Sequence, residues 1–90
     1  MRLGWALQRL VDAEGYRPLP LTKDSKYTPG KRYWCGYWEK WYDVLAVEYD
    51  KEYPWRLKNV TVKWQDGRIG THCTQLDPRG DYELALKTEL

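Results

Sequence analysis

Trp41-Tyr42-Asp43-Val44-Leu45-Ala46-Val47-Glu48-Tyr49-Asp50 and, after a gap, Val60-Thr61-Val62-Lys63-Trp64-Gln65-Asp66-Gly67-Arg68 carry the main architectural signal of this chain. In the second run Val60, Val62 and Trp64 alternate with Thr61, Lys63 and Gln65, so apolar and polar side chains fall on opposite faces of a strand. Asp66-Gly67 reads as a two-residue type I′ turn, because Gly takes positive φ without strain and Asp tolerates it. Arg68 to Leu76 then returns as the partner strand. The first run is apolar and β-rich, with aromatic residues gathered at its end.

Working outward, Arg32 to Trp38 is an aromatic strand in which Gly36 predicts a bulge or sharp bend. Only Glu39 and Lys40 separate it from Trp41, which makes the two antiparallel neighbours. Asp77-Pro78-Arg79-Gly80 is a second turn, and Tyr82 to Leu86 a last short strand. The expected fold is therefore all-β, a five-stranded meander over residues 31–86 curled into a small barrel so that its edges are hidden. Upstream, Leu3, Ala6, Leu7, Leu10 and Val11 recur at helical spacing, with Gly15 as a stop. This predicts a short amphipathic helix over residues 3–14, packed on the sheet. Residues 17–30, with Pro18, Pro20 and Pro29, read as a loop carrying at most a brief edge strand around Leu19 to Thr22.

Ninety residues make one domain with a small core. Six Trp and eight Tyr, with no Phe, are more rings than that core holds, so several are expected to stay available for docking. A formal charge of +2, from 15 basic and 13 acidic residues, gives little long-range pull on nucleic acid. Cys35 and Cys73 are too few for a stapled scaffold; they lie in different predicted strands, and buried reduced thiols are expected. Charges break every apolar stretch near the N-terminus, so no signal peptide or membrane span is expected and the protein is placed in the cytoplasm.

Gly36, Tyr37-Trp38, Trp41-Tyr42-Asp43-Val44-Leu45-Ala46, Val60-Thr61-Val62-Lys63-Trp64-Gln65-Asp66-Gly67 and Leu76-Asp77-Pro78 together resemble a Tudor-type SH3-like barrel over residues 31–85. The resemblance implies an aromatic cage for methylated Lys or Arg at Trp38, Tyr42 and Trp64, where ring faces attract a cheaply desolvated cation. The family often carries a further aromatic between the Asp and Gly of the turn, whereas Asp66 and Gly67 are adjacent here. The segment with Tyr53, Pro54 and Trp55 offers a replacement ring.

The cluster Tyr33, Trp34, Tyr37, Trp38, Trp41, Tyr42 is too dense to lie on one face of a strand, which predicts a contact surface. The expected ligand is an extended peptide, with basic and methylated segments in its range, lying on Trp38, Trp41, Tyr42 and Trp64 and oriented by Asp43 and Asp66. A second reading places single-stranded nucleic acid on Lys23, Lys26, Lys31, Arg32 and Trp34, where cations interleave with stacking rings. A small aromatic-rich domain also suits an accessory or mobile-element protein docking on a larger machine, as a monomer or weak homodimer. Cys35 and His72 are the one thiol–imidazole pairing that fits a nucleophile and base, but with a single Ser, a single His and no catalytic motif they read as structural. A metal centre at Cys35, His72 and Cys73 has no close-spaced ligand pair behind it. The expectation is a non-enzymatic binding module without cofactor or metal.

Overall fold

The computed structural model describes residues 4–22, 25–54, 57–72 and 80–86. A helix, α1 (Trp5–Glu14), precedes six strands: β1 (Tyr16–Pro20), β2 (Arg32–Cys35), β3 (Lys40–Tyr49), β4 (Leu57–Trp64), β5 (Ile69–Thr71) and β6 (Tyr82–Leu86). All pairings are antiparallel, in the order β1-β6-β2-β3-β4-β5, and the sheet curls without closing. The fold is all-β with one N-terminal helix, as expected. The described residues form six strands, not five, and no simple meander, because β6 inserts between β1 and β2.

The additional strand is β1, which overlaps the segment read as a loop and lies earlier and runs longer than the brief edge strand expected around Leu19 to Thr22. Its prolines mark it as an edge. Leu21 N donates to Asp81 O, so alternate residues of this segment turn their N–H groups toward β6. Pro18 and Pro20, which have no N–H, occupy the positions in between. Spaced two apart, they cost the ladder no hydrogen bond.

Alternation divides the side chains of the sheet between two cores. Tyr33 and Cys35 of β2, Tyr42 and Val44 of β3, and Val60 and Val62 of β4 pack together with Tyr27. Trp34 of β2 and Leu84 of β6 face the other way, onto Leu7 and Val11 of α1. The helical stripe thus packs on the sheet as expected. Gly15 closes it at φ 72°, its N–H bonded to Val11 O, and Leu3 lies outside the described residues. A bulge between Val44 and Ala46 adds one residue to β3, so the inward parity moves from Tyr42 and Val44 to Val47, which packs on the first core. Pattern reading could not place that shift, since Leu45 is as apolar as its neighbours.

Two turns differ from expectation. The β4–β5 hairpin uses a three-residue loop, Gln65-Asp66-Gly67: Gly67 N donates to Trp64 O, Trp64 N to Arg68 O, and only Gly67 has positive φ (92°). That is a turn closed by a glycine bulge, not a type I′ turn. The aromatic strand stops at Cys35, short of Trp38; the sharp bend expected at Gly36 is the turn of residues 36–39, and Gly36 packs against Gly80. A Cβ on Gly36 would lie 2.2 Å from the Gly80 carbonyl oxygen. The expected strand Arg68 to Leu76 is described only as Ile69–Thr71, and the expected turn at Asp77-Pro78-Arg79 lies outside the described residues. No helix among the described residues is long and apolar enough to cross a membrane.

Candidate functional site

The predicted ligand residues do not share one surface. On β3, Trp41 and Asp43 point to the helical side while Tyr42 points into the first core, as the pleat requires. Tyr42 is 0 % exposed and stacks on Tyr33 at 5.7 Å between ring centroids. It cannot be a cage wall; it is a core residue. Trp41 is half-buried beneath the Arg32 guanidinium, which lies 3.7 Å from its ring centroid. Asp43, opposite Arg32 in the β2–β3 register, accepts both arms of that guanidinium at 2.7 and 3.1 Å. The carboxylate expected to orient a ligand is therefore occupied within the fold, and this bidentate bond chiefly raises the Arg32 pKa.

The nucleic-acid constellation is taken apart in the same way. Trp34 is buried under α1, Arg32 is held by Asp43 and Tyr16, and Lys31 pairs with Glu83 at 3.1 Å. Lys26 is exposed, and Lys23 lies outside the described residues, as does Trp55. Of these charges, Lys31 and Arg32 are thus engaged in ion pairs within the sheet.

What remains together is Trp38, Trp64 and Asp66. With Lys40 and Arg68 they line a shallow groove of about 270 Å³ at the turn end of β3 and β4. The tight β2–β3 turn, with Glu39 at φ 53°, presents Trp38, which is 57 % exposed and edge-on to the exposed ring of Tyr37. Trp64 is half-buried: its inner side meets Tyr42 and His72, and its remaining surface faces the groove. Asp66 is fixed by accepting from Arg68 N at 3.1 Å and lies 3.6 Å from the exposed Arg68 guanidinium. Among the described residues β5 is the sheet edge beside this groove. Arg68 O and His72 N bond to β4, so the main-chain groups of Ile69 and Thr71 point away from the sheet.

Behind Trp64 is a buried polar cluster in which Asp81 joins the Cys35 and His72 pair singled out from the sequence. Cys35, His72 and Asp81 are 1, 2 and 4 % exposed. Asp81 Oδ2 lies 3.0 Å from His72 Nε2 and accepts the Tyr42 hydroxyl at 2.5 Å, while Oδ1 accepts from Gly36 N at 3.3 Å. The Tyr27 and Tyr42 hydroxyls are 3.2 Å apart. Burial pulls the His72 pKa down, but Asp81 and Cys35 outweigh it and push it up to about 9. Burial, then the neighbouring Tyr27 and Asp81, push the Tyr42 phenol far above its ordinary range. Cys35 is a free buried thiol, and Cys73 lies outside the described residues. The Cys35–His72 pairing is real in space but enclosed, and Asp81 was missed because its partners Tyr42 and Gly36 are 39 and 45 residues away. Its one sequence signal is an acidic residue just before an apolar strand, which is weak.

Comparison of the chain with known protein families, with curated proteins and with solved structures gave no match in any of the three.

Proposed function

We propose that this protein is a non-enzymatic recognition module that takes an extended peptide along the groove between Trp38 and Trp64. One observation carries the reading: a largely exposed indole and a rigidly backed one flank the same hollow, beside a sheet edge whose main-chain groups point outward. Exposing Trp38 forfeits roughly 1.5–3 kcal/mol of burial for a large apolar side chain, a cost that a contact surface explains. An extended peptide added at β5 gains ladder hydrogen bonds and places alternate side chains over the groove. Its chemistry follows from the lining. Lys40 and Arg68 outnumber Asp66, which favours an apolar or aromatic residue flanked by an acidic one. A basic or methylated segment, the sequence-level expectation, meets two cations and no Tyr42 wall.

Titration of intrinsic Trp fluorescence with acidic–aromatic and basic peptides, and with short oligonucleotides, tests this. The acidic–aromatic peptide is expected to bind with a shallow salt dependence, and Trp38→Ala to weaken it about tenfold or more. Binding confined to oligonucleotides, with a steep salt slope, contradicts the proposal.

A further inference from the structure

The recognition groove makes no use of the buried thiol, imidazole and carboxylate behind it. Cys35 ends β2, His72 follows β5 and Asp81 precedes β6, so three distant stretches of chain deliver three different donors to one place. We propose that Cys35, His72 and Asp81 form a structural binding site for a divalent transition metal, zinc foremost. Their donor atoms lie within 4.8 Å of one another. Tetrahedral zinc, with bonds of about 2.0–2.1 Å to nitrogen and oxygen and about 2.3 Å to sulfur, needs donors roughly 3.3–3.7 Å apart. The 3.0 Å His72–Asp81 separation opens by a few tenths of an ångström, and the longest separation closes by about one, to reach it.

The surroundings match what metal ligands require. Trp38 N donates to Cys35 Sγ at 3.4 Å from three residues on, a turn that directs a main-chain N–H at the sulfur. Gly36 N and the Tyr42 hydroxyl donate to the two oxygens of Asp81. Sulfur and carboxylate are thus both held by outer hydrogen bonds, which orient ligands and stabilise their charged forms. A doubly charged ion against one thiolate, one carboxylate and a neutral imidazole leaves no net charge in the core. Sulfur and nitrogen donors with a single carboxylate exclude calcium and magnesium, which take oxygen shells. The burial of all three side chains makes the site structural, not catalytic.

The full chain, stripped with EDTA and returned to chelator-free buffer, is titrated with zinc chloride and separately with cobalt(II). One equivalent of zinc should bind, and the melting temperature should climb with zinc concentration. Cobalt should give thiolate-to-metal charge-transfer absorption with the visible bands of a tetrahedral site. The chain has two cysteines, so a sulfur band retained in Cys73→Ser assigns the ligand to Cys35 even where Cys35→Ser does not fold. A folded wild-type protein whose melting temperature ignores excess zinc and whose cobalt spectrum lacks a sulfur band overturns the site. So does a band lost in Cys73→Ser. Peptide titration of the same zinc-free sample separates failure here from failure of the groove.

Discussion

Trp64 stands edge-on to His72, with ring centroids 5.1 Å apart and planes at 87°, so one indole joins the surface groove to the buried polar cluster. Its neighbour across the groove has no such backing. Trp38→Ala should therefore leave stability within about 0.5 kcal/mol while weakening peptide binding. Trp64→Ala should lose binding and also about 1–3 kcal/mol of stability, less than a full core truncation because Trp64 is half-buried. Urea unfolding beside fluorescence titration checks the split; equal stability losses in the two variants contradict it.

Tyr42 contributes the hydroxyl that holds Asp81 inside the fold. Tyr42→Phe keeps the stacked ring and removes a hydrogen bond to a buried carboxylate, an expected cost of about 1.5–3 kcal/mol. The midpoint of chemical unfolding should fall by that amount with the denaturant slope unchanged. A variant as stable as the parent shows that the carboxylate gains nothing from the phenol.

Gly36 faces backbone, not a flexible side chain. Its added methyl would sit 2.2 Å from the Gly80 carbonyl oxygen, immediately before Asp81, so neither side can yield cheaply. Gly36→Ala is expected to cost about 2 kcal/mol or more. Gly4→Ala, whose new methyl would meet only the Glu39 carboxylate at 3.9 Å, serves as the mild comparison. Thermal melts of the two variants decide whether the close approach matters.

In chelator, stability should depend on the protonation of His72. Its pKa is pushed up to about 9 in the fold, against about 6.5 unfolded, with Asp81, Cys35 and the Tyr42 hydroxyl as the groups around it. The folded state then holds a proton the unfolded chain has lost, so the stabilisation is complete below about pH 6.5 and disappears as pH rises through about 9. It amounts to a contribution on the order of 3 kcal/mol. Urea midpoints measured in EDTA at successive pH values should decline across that window, and a rising midpoint there refutes the ion pair.

Much of the sheet was legible because period-two alternation survives in Val60, Val62 and Trp64, and Gly15 and Tyr82–Leu86 carry ordinary local signals. β1 was legible only as a brief edge strand around Leu19, since proline reads as a breaker unless its spacing is compared with the hydrogen-bonding side of an edge. For the candidate site, Trp38 stood in the ring-dense stretch, Trp64 came with the barrel resemblance and Asp66 from its turn, and the fold brings the three to one groove. Trp41, Tyr42 and Asp43 required knowing which face of β3 is covered, and that depends on where α1 and β6 return. The polar cluster was least accessible, because a carboxylate and an imidazole joined by tertiary contact leave no periodicity behind them.

The alternating prolines of β1 also give the molecule a direction. A second strand approaching that border meets ring carbons at Pro18 and Pro20 where it needs donors, which disfavours edge-to-edge pairing on this side. Among the described residues the other border, β5, carries no proline, so an added strand would find main-chain donors there.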